Sequence, residues 1–194
     1  MRKLIAVIIL FAISGCTFNF KVNVPPIVVS QNEIPQKVIR AELTKSRLIG
    51  EFSTSLTKAK FAKVHNVRLA ARFINGRIIA SGEMFSYNAV VGPRTAERGF
   101  LEAPSLSMGK YVTSIGGGIC QLSSTLHGAV VKAKLKVIER YRHSATVSYC
   151  PIWAEATVSY GQKDFRFLNN TSSRIKLIAN VDERKFLVVQ IWQI

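Results

Sequence analysis

The sequence predicts an α+β domain: helices followed by an antiparallel β-meander, with a cysteine at the N-terminus of a central helix. Three observations carry this. Two stretches keep helical spacing, five short strand-like runs separated by turns come after them, and a glycine triplet leads straight into a lone thiol. The first helical stretch, Thr57 to Ile74, carries Phe61, Val64, Val67 or Arg68, Ala71 and Ile74 near a 3.6-residue period, and Gly76 follows as a stop. The second runs from Cys120 to about Lys134, with Leu122, Leu126, Ala129, Val130 and Ala133 on its apolar face. The strand-like runs are Ala145–Cys150, Glu155–Tyr160, Asp164–Leu168, Ile175–Val181 and Phe186–Trp192. Gly161-Gln162-Lys163, Asn169–Ser173 and Asp182-Glu183-Arg184 supply turns between them.

The N-terminus reads as an export signal. Met1-Arg2-Lys3 is the positive start, Leu4 to Ile13 is an apolar run too short to span a bilayer, and Ile13-Ser14-Gly15 leads into Cys16. That tripeptide resembles a bacterial lipobox, which implies cleavage before Cys16 and acylation of its thiol and amine. Several acyl chains on one residue anchor stably, where one chain is marginal. The expected organisation is a signal peptide over residues 1–15, a lipid anchor and tether over 16–47 with Pro25-Pro26 and Pro35, and one domain over 48–194. The mature chain is thus expected outside the cytoplasm, tethered to a bacterial membrane.

Charge takes its meaning from that location. The formal net charge is +16, and loss of Arg2 and Lys3 with residues 1–15 leaves +14. Such a balance ordinarily points to nucleic acid. Export argues against it and favours anionic headgroups or wall polymers. Of the three cysteines, lipidation consumes Cys16. Cys120 and Cys150 remain, and a bridge between them is disfavoured because a structural disulfide has no use for the glycines before Cys120.

Gly116-Gly117-Gly118-Ile119-Cys120-Gln121 carries the chemistry. Glycines admit a close backbone or ligand, and a helix N-terminus favours the reactive thiolate. A cysteine nucleophile needs a base and a group that orients it. His127 lies two helical turns beyond Cys120, ~10 Å away, too far for a hydrogen bond or a shared zinc ion. The placement of His65 cannot be read from spacing. His143 begins the first strand after the helix and is the candidate base. A hairpin turning near Pro151–Ala154 sets His143 opposite Tyr160, with Asp164 level with them and Glu155 at the far end; Asp164 is therefore the expected orienting group. Gly116, Gly117, Gly118, Gln121, Arg94 and Arg98 are the candidate substrate contacts, and no metal or cofactor is expected.

These motifs resemble the VanW family. The matching blocks are His65-Asn66-Val67, Gly82-Glu83-Met84-Phe85-Ser86-Tyr87-Asn88, Val91-Gly92-Pro93-Arg94-Thr95, Arg98-Gly99-Phe100, the stretch Gly116 to Leu126, Glu139-Arg140, His143-Ser144, Ala156 to Gly161, Asp164 and Phe167-Leu168-Asn169-Asn170. Two departures from the family pattern stand out. Arg142 stands where a proline is usual, and Trp153-Ala154-Glu155 stands where Gly-Arg-Asp is usual. Two functions stay open. One is a cysteine-dependent acyl transferase or amidase/peptidase acting on cell-wall peptides, with Cys120, His143 and Asp164 as catalytic residues. The other is a non-catalytic envelope binding or scaffold protein that recognises an anionic wall polymer or a protein partner.

Overall fold

The computed structural model describes residues 46–107 and 109–194. The signal segment, Cys16 and nearly all of the tether lie outside the described residues.

Strand β1 (Arg47–Ser55) opens the domain, and helix α1 (Phe61–Ile74) follows. The helix begins four residues later than expected. Leu56 is buried and its N–H bonds Lys185 O at 2.8 Å, so Leu56 to Lys60 are held in a turn (Ala59 N to Leu56 O, 2.9 Å). Short strands β2 (Ile78–Ile79) and β3 (Met84–Ser86) lead into the short helix α2 (Tyr87–Val91). A hairpin of β4 (Glu102–Ser107) and β5 (Lys110–Ile115) precedes helix α3 (Cys120–Lys132). Then come β6 (Lys136–Glu139), β7 (Arg166–Leu168), β8 (Ile175–Val181) and β9 (Phe186–Gln193).

The class is α+β with antiparallel sheets, but the trailing meander is a correction: strands interleave with the helices. The largest sheet has the order β1-β9-β8-β2, a second β3-β7-β6, and β4-β5 stands apart. β8 and β9 alternate as a half-buried pair should, burying Ile175, Leu177 and Ala179 against Leu187, Val189 and Ile191. Their turn closes on Asp182, whose side chain accepts from Phe186 N at 2.7 Å, with Lys185 at φ +61°. Helix α1 lays Val67, Ala70 and Ile74 into the same core, and α3 adds Leu122, Leu126 and Val130. Each fully buried Leu, Ile or Val there contributes ~1.5–3 kcal/mol.

Residues Gln121 to Val130 of α3 are all buried, polar ones included. That explains why Glu155–Tyr160 is not the strand its pattern suggests. Its backbone is committed to α3: Ser123 Oγ donates to Ala156 O at 2.6 Å, Ala156 N donates to Ser124 Oγ at 3.0 Å, and His127 Nδ1 bonds Ala154 O at 3.0 Å. What remains of ladder pairing is two bridges, Tyr141 with Thr157 and Ser159 with Lys163. Ala145–Cys150 is likewise irregular, so the hairpin that set the expected register does not form.

Candidate functional site at the start of helix α3

Cys120 is the first residue of α3, as expected. Each of the three glycines before it lies against another part of the protein. A Cβ on Gly116 would stand 2.6 Å from Arg94 Cβ, one on Gly118 2.5 Å from Lys63 Cγ, and one on Gly117 would collide with Ala103 O. The side of each glycine is thus filled by protein, and the triplet admits two cations and the β4 backbone to the helix start. Asn66, fully buried in α1, ties the loop down: its Nδ2 donates to Leu101 O at 2.8 Å and Gly117 O at 3.0 Å, and its Oδ1 accepts from Leu101 N at 2.8 Å.

The thiol departs from the expectation set by its helix position. Burial pushes the Cys120 pKa above the ordinary thiol value, and this outweighs the opposing pull of a Val158 backbone hydrogen bond, Arg94, Lys63 and its own backbone N–H. The helix-start effect is modest beside the cost of charging a buried sulfur. The resting thiol is protonated, with its Sγ 3.5 Å from Val158 O. Lys63 lies over the Tyr149 ring at 5.1 Å, and burial lowers its pKa.

His143 lies among groups that differ from those expected. Its Nδ1 stands 3.7 Å from Glu155 Oε2, with the two side chains only 4% and 3% exposed, and its backbone N–H donates to the same oxygen at 3.4 Å. Its Nε2 is 3.2 Å from Tyr149 Oη. The reason is register: continuing the antiparallel Tyr141–Thr157 bridge by two residues on each segment brings His143 to Glu155. Asp164 as the partner of His143 is therefore a correction. Its carboxylate accepts from Ser86 Oγ at 2.5 Å, Asn88 N at 2.8 Å and Phe165 N at 2.8 Å, capping the start of α2 and lining a separate cleft with Tyr160 and Lys163. Burial lowers the His143 pKa, Glu155 opposes that, and Lys163 adds to it, so the imidazole rests neutral and able to accept a proton.

No hydrogen bond joins Cys120 to His143 among the described residues. Tyr149 lies near both. It bonds His143, and its pKa is raised by burial first and by the nearby Cys120 second. Tyr149 is not among the expected site residues; it falls within Ala145–Cys150, which reads from its pattern as a strand. A groove of about 550 Å³, lined by Lys58, Lys60, Lys63, Gln121 and Tyr149 among others, opens beside this cluster.

Two further expectations change. Arg98 is consumed inside its own loop, donating through Nη1 to Val91 O (2.7 Å) and Pro93 O while lying over the Phe73 ring at 4.8 Å. The Gln121 amide NH₂, expected to contact substrate, goes instead to Thr54 Oγ1 at 3.0 Å and Ser55 O at 2.9 Å. His65 bonds Gly99 O at 2.8 Å, so His65 and His127 both serve backbone carbonyls. Cys120 and Cys150 are both free thiols. Among the described residues no His, Cys, Asp and Glu cluster could hold a metal ion.

Fold and site together define a mixed α+β domain built around a thiol at a buried helix start, flanked by two cations, with a tyrosine nearby that bonds a buried His–Glu pair. The model for "VanW like protein" matches residues 62–192, and the chain belongs to that family. It is 36% identical to YoaR of Bacillus subtilis over 157 residues, 77% of this chain and 52% of that protein. It is 30% identical to the vancomycin B-type resistance protein VanW of Enterococcus faecalis over 130 residues, 64% of this chain and 47% of that protein. The chain spans about half the length of these curated relatives. No solved structure matches it.

Proposed function

We propose that this chain is an envelope lipoprotein, anchored outside the cytoplasm through Cys16, whose domain performs cysteine-dependent acyl transfer or amide hydrolysis on cell-wall peptides. The observation that carries the reading is Tyr149, hydrogen-bonded to the buried His143–Glu155 pair and within electrostatic reach of Cys120. The Cys120 proton passes to the Tyr149 oxygen as the Tyr149 hydroxyl proton moves to His143 Nε2, and Glu155 stabilises the resulting imidazolium. The thiolate attacks the carbonyl carbon, a C–S bond forms, and the oxyanion faces Lys63 and the Cys120 N–H. As the C–N bond breaks, the proton returns along the same route to the leaving amine. Water or a second amine then releases the acyl group from sulfur. The vancomycin-resistance name of the Enterococcus relative supports an envelope setting.

The test is acyl-enzyme trapping. The full chain is incubated with isolated wall stem peptides, quenched in acid and read by peptide mass spectrometry. A hydroxylamine-labile adduct on Cys120, absent in Cys120→Ala and reduced at least tenfold in Tyr149→Phe, is the expected result. Peptides returned intact, with Cys120 unmodified, would overturn the reading. The lysine-lined groove and the protonated resting thiol favour the alternative, a non-catalytic module for an anionic wall polymer. Polymer binding lost in Lys58→Met/Lys60→Met and retained in Cys120→Ala would establish it.

A further inference from the structure

Arg94 is half-buried as a residue, but its guanidinium is a shielded cation without a counter-ion. Its Nε and both terminal nitrogens are shielded from solvent and meet no hydrogen-bond partner. No carboxylate among the described residues pairs with it. The side chain is nonetheless held in place: its Cβ packs on the bare face of Gly116, and its guanidinium lies over the rings of Tyr87 (5.5 Å) and Tyr160 (5.7 Å). The Tyr87 hydroxyl is near enough for the cation to oppose the rise in its pKa, but it falls short of hydrogen-bond geometry and instead donates to Ile119 O at 3.4 Å.

Arginine cannot shed its proton, and a buried charge left unpaired costs several kcal/mol. The two rings offset only part of that cost and supply no acceptor oxygens, whereas Arg98 in the same loop shows how this fold satisfies a structural arginine with backbone carbonyls. The Cys120 thiol also feels Arg94, but burial keeps it neutral. A single sulfur would engage only part of a donor fork that matches two coplanar oxygens. The ring over the guanidinium is at the surface: Tyr160 is 53% exposed and precedes Gly161, which has φ +75°.

We infer that Arg94 is the receptor for a ligand carboxylate, bound bidentately at the Tyr87–Tyr160 aromatic pair beside Cys120. The oxygens of the carboxylate supply the missing acceptors, and rotation of the Tyr160 ring opens the way in. The site stands on Arg94 itself and does not require that Cys120 turn over a substrate.

Two thiol reagents that differ only in the group needed here provide the test. Iodoacetate carries a carboxylate and iodoacetamide a neutral amide. The full chain is treated with each at pH 8 and moderate salt, and labelling of Cys120 is read by peptide mass spectrometry. The iodoacetate-to-iodoacetamide rate ratio should exceed that of a small-molecule thiol at least ~10-fold, the contribution of one charge-assisted pair. Labelling by iodoacetate should saturate, and acetate should protect where acetamide does not. Arg94→Met should return the ratio to that of the model thiol. Arg184→Met removes an equal charge from an exposed turn and should leave the ratio unchanged. A wild-type ratio no greater than the model thiol's overturns the inference, and so does equal slowing of both reagents by Arg94→Met, which would make Arg94 a thiolate counter-ion only. Equal loss in Arg184→Met, the signature of overall charge, overturns it as well. Should Arg94→Met fail to fold, the wild-type ratio and the acetate protection still decide.

Discussion

The imidazole of His143 faces the carboxylate of Glu155 at 3.7 Å, with both side chains almost wholly buried. Trp153-Ala154-Glu155, one of the two stretches that set this chain apart in the sequence, thus places an acid beside the histidine. Glu155→Gln removes the charge that opposes burial, so the His143 titration should move further down. Asp164→Asn should leave that titration where it is and lower stability by ~1–3 kcal/mol, because its carboxylate accepts from Ser86, Asn88 and Phe165. NMR titration of the histidines and urea unfolding separate the two outcomes.

Stability should fall on mild acidification, and His143 should account for part of the fall. Its folded pKa is lowered, so below the ordinary histidine value of ~6.5 the unfolded chain binds a proton that the folded chain resists. The stabilisation is present above that value and is lost as pH drops through the folded one. Unfolding free energies measured between pH 7.5 and 5 should decline less steeply in His143→Gln than in wild type. Equal slopes would show that His143 is not held neutral.

Gly117→Ala should be the most damaging alanine substitution in the triplet. The new methyl meets the Ala103 carbonyl, a backbone atom that cannot swing away, whereas at Gly118 it meets the flexible stem of Lys63. A loss of ~2 kcal/mol or more is expected for Gly117→Ala, at the upper end of overpacking costs. Chemical denaturation of both variants gives the comparison.

Arg98→Met should destabilise the fold by ~1–3 kcal/mol, by leaving the Val91 and Pro93 carbonyls without their donor. It should not change the iodoacetate preference at Cys120. A changed preference would return Arg98 to the list of ligand contacts.

Cys16→Ala should abolish metabolic lipid labelling and release the protein from the membrane fraction. The expectation rests on Ile13-Ser14-Gly15-Cys16 after the apolar run. Unchanged attachment and labelling would show that the motif is incidental.

Helix α3 and the β8–β9 pair were legible because their signals are local. Leu122, Leu126 and Val130 repeat at the helical period, and Ile175 to Val181 and Phe186 to Gln193 alternate around a turn closed by Asp182. Cys120 at a helix start behind glycines was legible for the same reason. The partner of His143 was not. Ala145–Cys150 and Glu155–Tyr160 have strand-like patterns, but the buried hydroxyls of Ser123 and Ser124 capture the Ala156 backbone and draw the second segment onto α3. That capture shifts the register by which His143 meets Glu155 and frees Asp164 to cap α2. The state of the thiol was also out of reach, since a helix terminus favours charge whereas burial opposes it, and only the packed structure sets the depth of burial. Sequence alone determined helix α3 with its first residue and the β8–β9 pair. Tertiary structure decided which side chains meet around it, because those contacts join segments far apart in the chain through hydrogen bonds that no local period encodes.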